Sequence, residues 1–292
     1  MMEILSAKDI ASYLNINEKK VYQLVKDNEI PFTRIGGKLV FSREIIDRWI
    51  RENTASEQNI LIAGSDDVLL KVIIDNYNKT SKNTVFYASV GSINGLQLLK
   101  MGRAAVCCVH ILDLEGKHSH WYLDRYLNRE EFVVLKLFTR EQGLFLPPDN
   151  PHKIKNFKDI FDRKLKFATR NKGSGTRILI DFLMKENGLV VDDRQNCIEA
   201  QSHISAGSKV CSEEADASFG IRHVAEILNL HYIPVFNEPF DMIIPVDLWE
   251  THKIRELINF FDPASLNNQS GKFAGYDYST MGSISWKPQS LK

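Results

Sequence analysis

Seven consecutive residues, Asn171-Lys172-Gly173-Ser174-Gly175-Thr176-Arg177, carry the side-chain types needed to hold an anion. The two glycines let a backbone approach a ligand closely, and the Ser174 and Thr176 hydroxyls are donors. The run lies between a strand-like segment ending Lys166-Phe167-Ala168-Thr169 and a helical one, Ile178-Leu179-Ile180-Asp181-Phe182-Leu183-Met184. A strand, a turn and a helix start follow in order. The first turn of a helix offers unpaired N–H groups and the positive end of its dipole, so such an entry is a ready anion site. A serine N-cap beside glycines that merely turn the chain fits the same residues. Arg177, in that first turn, and Arg140 are each either a clamp on a ligand or the partner of a nearby carboxylate.

The pairing of glycine with a hydroxyl recurs at Gly64-Ser65 and Gly91-Ser92, each after an apolar strand-like run and before a helical one. One such pair reads as a cap. Three suggest helix dipoles converging on a single anion, with Ser65, Ser92, Ser174, Gly175 and Thr176 donating from hydroxyl or backbone. Asp67, at a helix start, reads first as a complement to the dipole. His110, at the end of a strand, is either cleft-lining or satisfied in the core.

Other chemistries fit less well. Lys172 stands where a nucleophile elbow needs glycine, and no GxxxxGK[ST] loop is present. His110, Asp113, His118 and His120 are irregularly spaced for a metal, with a loop at Glu115-Gly116-Lys117 between them. No catalytic residue, metal or cofactor is therefore expected. The four cysteines, Cys107, Cys108, Cys197 and Cys211, show no CxxC spacing and read as reduced, which places the chain in the cytoplasm. No apolar run approaches a membrane span, and mean hydropathy is −0.23.

The elements that must position these residues alternate. Strands over 59–63, 84–90 and 104–110 alternate with helices over 66–77 and 93–100, which is an α/β doubly wound pattern with ligands beyond the carboxyl ends of strands. Trp121 to Leu127 reads as a packed helix.

The first fifty residues differ. Ser6 caps a short helix with Ile10, Ala11 and Leu14 inward. Asn15-Ile16-Asn17 turns, and Glu18 to Asp27 forms a second helix burying Val21, Leu24 and Val25. Ile30–Ile35 and Lys38–Phe41 then form a hairpin about Gly36-Gly37. Ser42 caps a third helix, Arg43 to Arg51, with Ile45, Ile46 and Trp49 inward. Net charge is zero, with 37 basic and 37 acidic residues, and residues 1–52 hold nine basic against eight acidic side chains. A charged face on a protein-interaction domain is the alternative to nucleic-acid binding, and weak charge calls for pairing of two heads.

Helix-turn-helix, wing and helix in this order resemble the excisionase and MerR-like winged DNA-binding domains over residues 3–52. The resemblance implies that the second helix enters the major groove of double-stranded operator DNA and the wing touches the backbone or minor groove. Lys19, Lys20, Tyr22, Gln23 and Lys26 would then face DNA, with Arg34 and Lys38 on the wing and Arg43 at the next helix start. Lysine and arginine supply phosphate contacts, and Gln23 can reach a base edge.

The remainder resembles periplasmic-binding-protein-like domains over about 60–282, and within them the molybdate/tungstate-responsive regulators. The resemblance rests on Ala63-Gly64-Ser65-Asp66-Asp67, Gly91 through Gly102, His110-Ile111-Leu112-Asp113 and Arg140-Glu141-Gln142-Gly143-Leu144. It rests further on Asn150-Pro151, Arg170 through Arg177, Glu238-Pro239-Phe240-Asp241 and Gly275-Tyr276-Asp277. It implies an α/β protein with an N-terminal winged helix-turn-helix at 1–52, a linker at 53–59 and a bilobal type II domain at 60–292. Lobe 1 would hold about 60–138 and 240–292, and lobe 2 about 139–239. The implied role is a non-enzymatic, ligand-responsive transcriptional regulator, a homodimer or higher homo-oligomer, whose ligand is tungstate or molybdate. The alternatives are another small anion or metabolite, an enzyme or accessory protein of molybdenum-cofactor metabolism, and an architectural DNA protein.

Overall fold

The structure, a computed structural model, describes residues 3–53, 59–111, 120–189, 196–266 and 273–291. The chain divides into two compact units, Met1–Glu57 and Gln58–Lys292. The expected linker residues 54–58 and the segment holding Asp113, Glu115, Gly116, Lys117 and His118 lie outside the described residues.

The first unit runs β1 (Ile4–Ser6), α1 (Ala7–Tyr13), α2 (Glu18–Lys26), β2 (Thr33–Ile35), β3 (Lys38–Ser42) and α3 (Arg43–Asn53). Ser6 starts α1 through a reciprocal cap. Its hydroxyl accepts from the Asp9 N–H at 3.2 Å, and the Asp9 carboxylate accepts from the Ser6 N–H at 2.9 Å. Asn17 caps α2 by accepting from the Lys20 N–H at 2.7 Å. The helices bury Ile10, Ala11, Val21, Val25 and Ile46 against Phe41 of the hairpin. Strand β1, too short to show alternation, pairs antiparallel with β3 to make a three-stranded sheet in the order β1-β3-β2. One expected core residue is wrong: Ile45 is 49% exposed. Ile46, Trp49 and Ile50 already fill the inward stripe of α3, and at 3.6 residues per turn Ile45 falls about 100° away from Ile46.

The second unit begins β4 (Ile60–Gly64), α4 (Val68–Thr80), β5 (Val85–Ser89), α5 (Ser92–Lys100), β6 (Val106–Val109) and α6 (Trp121–Tyr126). It continues β7 (Phe132–Leu146), α7 (Phe157–Asp162), β8 (Phe167–Arg170), α8 (Gly175–Glu186), β9 (Cys197–Ala200), α9 (His203–Cys211), β10 (Ala217–Ile221) and α10 (Arg222–Ile227). It closes with β11 (His231–Pro245), α11 (Val246–Trp249), α12 (His252–Phe260), α13 (Pro263–Leu266), β12 (Tyr276–Asp277) and β13 (Ile284–Trp286).

Ten strands form one sheet in the order β5-β4-β6-β11-β7-β10-β8-β9, with β12 and β13 paired to β7. At one end β5, β4 and β6 are parallel, and at the other β10, β8 and β9 are parallel. Between them the 15-residue strands β7 and β11 run antiparallel, in register from Pro245↔Phe132 to His231↔Leu146 apart from two bulges. These two strands pass from one lobe to the other. Lobe 1 is built on Leu70, Ile73, Tyr77, Trp249 and Leu257 over one sheet face, and on Leu96, Cys107 and Leu123 over the other. Lobe 2 is built on Phe157, Phe167, Leu179 and Phe219, with Val210 and Val224 on its other face. The expected 121–127 helix is α6, packed through Tyr122 and Leu123.

Ile46 is fully buried in the smaller core. Ile46→Ala is expected to cost about 2–5 kcal/mol there. Hydrogen exchange with urea should show residues 4–53 opening at lower denaturant, with the larger unit unchanged.

Candidate functional site

Apart from Arg140 on β7, the predicted ligand residues lie at the carboxyl ends of β4, β5, β6 and β8, in the loops and helix starts that follow these strands. Ser92 opens α5 after Gly91, and Gly175 opens α8 after its N-cap Ser174. Ser65 differs from the expectation. It stands before the start of α4, whose N-cap is Asp67, accepting from the Leu70 N–H at 2.8 Å. Asp67 thus complements the α4 dipole itself. Of the three predicted helix starts, those of α5 and α8 follow their glycine-hydroxyl pair directly.

The structure brings most of these residues together. The Ser65 and Ser92 hydroxyls, both buried, share a hydrogen bond. Tyr87 holds the Ser65 loop by donating to its carbonyl. Gly91 and Gly173 meet backbone to backbone: a Cβ on Gly91 would stand 2.9 Å from the Gly173 carbonyl oxygen. Gly175 lies against the His110 carbonyl and ring, with no room for a side chain. The glycines are therefore where the lobes touch, which is a packing reason for them beyond the anion-site reading. Thr176 is buried and its Oγ1 accepts from Gln142 Nε2 at 3.1 Å. Ser174 Oγ donates to the Asn171 carbonyl at 2.9 Å and accepts from the Arg177 N–H at 3.2 Å, so its cap role is in use.

The two arginines resolve toward the carboxylate alternative. Arg177 donates from Nε to Asp181 at 2.9 Å, one helical turn on, and from Nη1 to the Arg170 carbonyl at 3.1 Å. Its guanidinium ties down its own helix. Arg140 is fully buried on β7, pairs in register with Glu238 on β11, and donates to it from Nε at 2.6 Å. Its Nη1 donates to Asp67 at 2.5 Å and to the Asp66 carbonyl at 3.0 Å. Tyr276 OH donates to the same Asp67 oxygen at 2.7 Å. The position of Arg140 is structural, at the crossing between the lobes.

Arg140 also fixes the state of His110. Its Nη2 lies 3.0 Å from His110 Nδ1, and a guanidinium can only donate. His110 Nδ1 is thus the acceptor and Nε2 carries the proton, a buried N–H without a partner. Burial, then the Arg140 and Arg170 charges, hold the imidazole well below its ordinary pKa, so it is neutral.

Two residues absent from the predicted set stand in the same place. Arg170, at the end of β8, is 2% exposed, and neither its Nε nor its Nη1 has a partner; Nη2 reaches the Gln201 carbonyl at 3.3 Å. Burial lowers its pKa to about 10, with Asp66 opposing the shift and Arg140 adding to it. His203, the first residue of α9, is fully buried with both ring nitrogens unpartnered, and burial holds it neutral as well. Arg170 was visible as the first residue of the glycine-serine run. A single arginine in a strand carries no sequence signal of burial, and nothing near His203 repeats the glycine-hydroxyl pattern. Buried polar atoms are ordinarily paired, so such a cluster marks a place made for something else.

Among the described residues no group of three or more His, Cys, Asp or Glu could hold a metal. His120, weighed as a ligand, instead lies beside Ser285 Oγ at 3.1 Å and Asp241 at 3.9 Å.

In the first unit all eight predicted DNA-contacting residues, Lys19, Lys20, Tyr22, Gln23, Lys26, Arg34, Lys38 and Arg43, are exposed. Lys8, Tyr22, Lys26, Arg34 and Lys38 line one groove between the helices and the hairpin. Arg43 is partly engaged, paired with Glu3 at 3.1 Å and lying over the Tyr13 ring.

The PBP superfamily domain matches residues 75–262, and the chain belongs to that superfamily. A helix-turn-helix domain matches residues 4–54. The chain is 25% identical over 287 residues to the uncharacterized protein YvgK of Bacillus subtilis (strain 168), covering 90% of this chain and 93% of that one. A substrate-binding protein of Clostridium perfringens solved with phosphate has the same fold, at TM-score 0.58 and 14% identity over 74% of this chain and 98% of that one. So does the tungstate ABC transporter protein of Geobacter sulfurreducens, at TM-score 0.54 and 18% identity over 72% and 97%. The BenM effector binding domain with benzoate follows, at TM-score 0.51 and 16% identity over 75% and 96%. A helix-turn-helix domain joined to a PBP-like domain suggests a ligand-binding, DNA-binding regulator, and domains of these kinds are typical of non-enzymes.

Arg140→Met would leave Asp67 and Glu238 buried without their cation. The expected loss is about 3–5 kcal/mol, read as a lower urea midpoint for the larger unit. Adding Glu238→Met should restore part of it.

Proposed function

We propose that the protein is a transcriptional regulator that senses a tetrahedral oxyanion, tungstate or molybdate, in the cleft between the lobes of its larger unit. The observation that carries this reading is the set of buried donors without partners. They are His110 Nε2–H, against Gly175 at the start of α8, and Arg170 Nε and Nη1, whose Nη2 reaches the Gln201 carbonyl just before α9. An oxyanion between Ser65 and Ser92 would exchange their mutual hydrogen bond for one from each hydroxyl, and take further bonds from these donors. Asp67 does not oppose it, being occupied by Arg140, Tyr276 and the α4 N–H. Contacts confined to these donors favour an unprotonated anion over a protonated phosphate, whose hydroxyl needs an acceptor.

Two buried acceptors without partners, Gln142 Oε1 and Glu238 Oε2, favour a second reading. A small organic acid with a hydroxyl would satisfy them. In either case the head binds duplex DNA, as a homodimer or higher homo-oligomer, and the ligand alters DNA affinity only by preferring one lobe arrangement.

A thermal-shift titration with tungstate, molybdate, sulfate, phosphate and hydroxylated carboxylic acids tests both readings. At a hundredfold excess over Kd a ligand of the folded state adds about 2.7 kcal/mol, which is about 5–10 °C for a unit of this size. Tungstate and molybdate alone are expected to give it, with affinity reduced at least about tenfold in Arg170→Met through loss of a charged hydrogen bond. A shift with the carboxylic acids alone selects the second reading. For the head, Lys19→Ala with Lys20→Ala should lower the slope of log K against log salt by about 2 on duplex DNA. An unchanged slope would remove these lysines from the interface.

A further inference from the structure

Asp66 is the residue of the cleft that neither reading uses. It lies just before α4 in lobe 1 and is 9% exposed. One carboxylate oxygen accepts from Lys71 Nζ at 2.5 Å and from Ser89 Oγ at 3.1 Å, both in lobe 1. The other accepts from the backbone N–H of His203 in lobe 2, at 3.3 Å. His203 is the first residue of the nine-residue helix α9, so this N–H is one of the unpaired donors at the helix's positive end. The half-partnered Arg170 guanidinium, also in lobe 2, reaches the Gln201 carbonyl at 3.3 Å just before α9, and the Asp66 charge favours its charged form. An anionic group from one lobe therefore rests on a helix N-terminus and beside a buried arginine of the other.

We propose that Asp66 is a built-in stand-in for the ligand anion, a latch that holds the lobes together and competes with the ligand for Arg170 and the start of α9. The proposal rests on the anion-sensing reading above. Charge arithmetic supports it. The cluster holds three cations, Lys71, Arg140 and Arg170, and three carboxylates, Asp66, Asp67 and Glu238, with neutral His110 and His203. Arg140 is committed to Asp67 and Glu238. An incoming anion thus meets a cluster of net charge zero, with Lys71 and Arg170 partly offset by Asp66. An anion that binds at the start of α9 must displace that carboxylate from the His203 N–H, and so exchanges an internal bridge between lobes for its own.

The geometry allows the bridge to be cut at one atom. Proline is tolerated at the first position of a helix, where its missing N–H had no helical partner. The preceding Ser202 has φ −141° and ψ 168°, the extended conformation that a following proline requires. His203→Pro therefore removes the N–H that reaches Asp66, and His203→Ala controls for loss of the imidazole. In the full-length chain, amide exchange by mass spectrometry across 171–177 and 202–206 reads lobe opening without ligand, and calorimetry reads tungstate binding. The expected result is exchange about tenfold faster in His203→Pro than in His203→Ala, faster exchange again in Asp66→Asn, and tungstate bound about tenfold tighter by Asp66→Asn than by the wild type. Equal exchange in the proline and alanine variants, or weaker tungstate binding by Asp66→Asn, overturns the proposal. If neither protein takes tungstate yet exchange responds as expected, the oxyanion reading fails and the latch stands. A purely local role for Asp66 with Lys71 would lower the melting temperature while leaving both exchange and affinity unmoved, and would likewise overturn it.

Discussion

The antiparallel pairing of β7 with β11 is the constraint on which the larger unit depends. Two parallel α/β halves cannot share one sheet by parallel pairing alone unless a crossover joins them. Here the join is a pair of 15-residue strands paired from end to end, with two bulges. Where they pass from one lobe to the other, Arg140 and Glu238 face each other across the ladder as a buried ion pair. Such a pair costs desolvation, and Arg140 offsets that cost by also bonding Asp67 and the Asp66 carbonyl. One guanidinium thereby ties the crossing strands to the loop that starts α4 and, through His110 Nδ1, to the end of β6.

That network sets the chemistry of the cleft. Because Arg140 can only donate, it dictates the His110 tautomer and turns an N–H toward the start of α8. Because Arg140 and Tyr276 saturate Asp67, the acidic pair Asp66-Asp67 divides its work: one carboxylate belongs to the fold, the other to the lobe contact. Polar groups left over after this distribution include donors from both lobes, Arg170 Nε and Nη1 and His110 Nε2, alongside the acceptors Gln142 Oε1, Glu238 Oε2 and Asn171 Oδ1. Glycines at 91 and 175 permit the backbones to meet there.

The smaller unit reaches its fold by different means. Reciprocal capping at Ser6 and Asp9 and the Asn17 cap start its two short helices, which are too short to persist without tertiary packing. Its charge is nearly balanced, yet Lys8, Lys26, Arg34 and Lys38 share one groove between the helices and the hairpin. Local placement, not net charge, is what fits it to a polyanion.

The sequence by itself determined the alternation of strands and helices, the two-unit organisation, the helix-turn-helix with its wing, and the three glycine-hydroxyl loops. These are local properties: periodicity, caps and turn residues act over fewer than about a dozen neighbours. Tertiary structure decided what each charged residue is for. Arg140 and Arg177 read alike in sequence, and packing gave one to the hinge and the other to its own helix. Arg170 and His203 gave no local sign, because burial without a partner arises only when strands distant in sequence lie side by side. Ile45 and Ile46 are likewise indistinguishable by type, and only the stripe filled by Trp49 and Ile50 puts one in solvent and the other in the core. Hydrophobic pattern fixes which elements form, whereas the partner of a buried charge is set by long-range contacts, and the function lies in those partners.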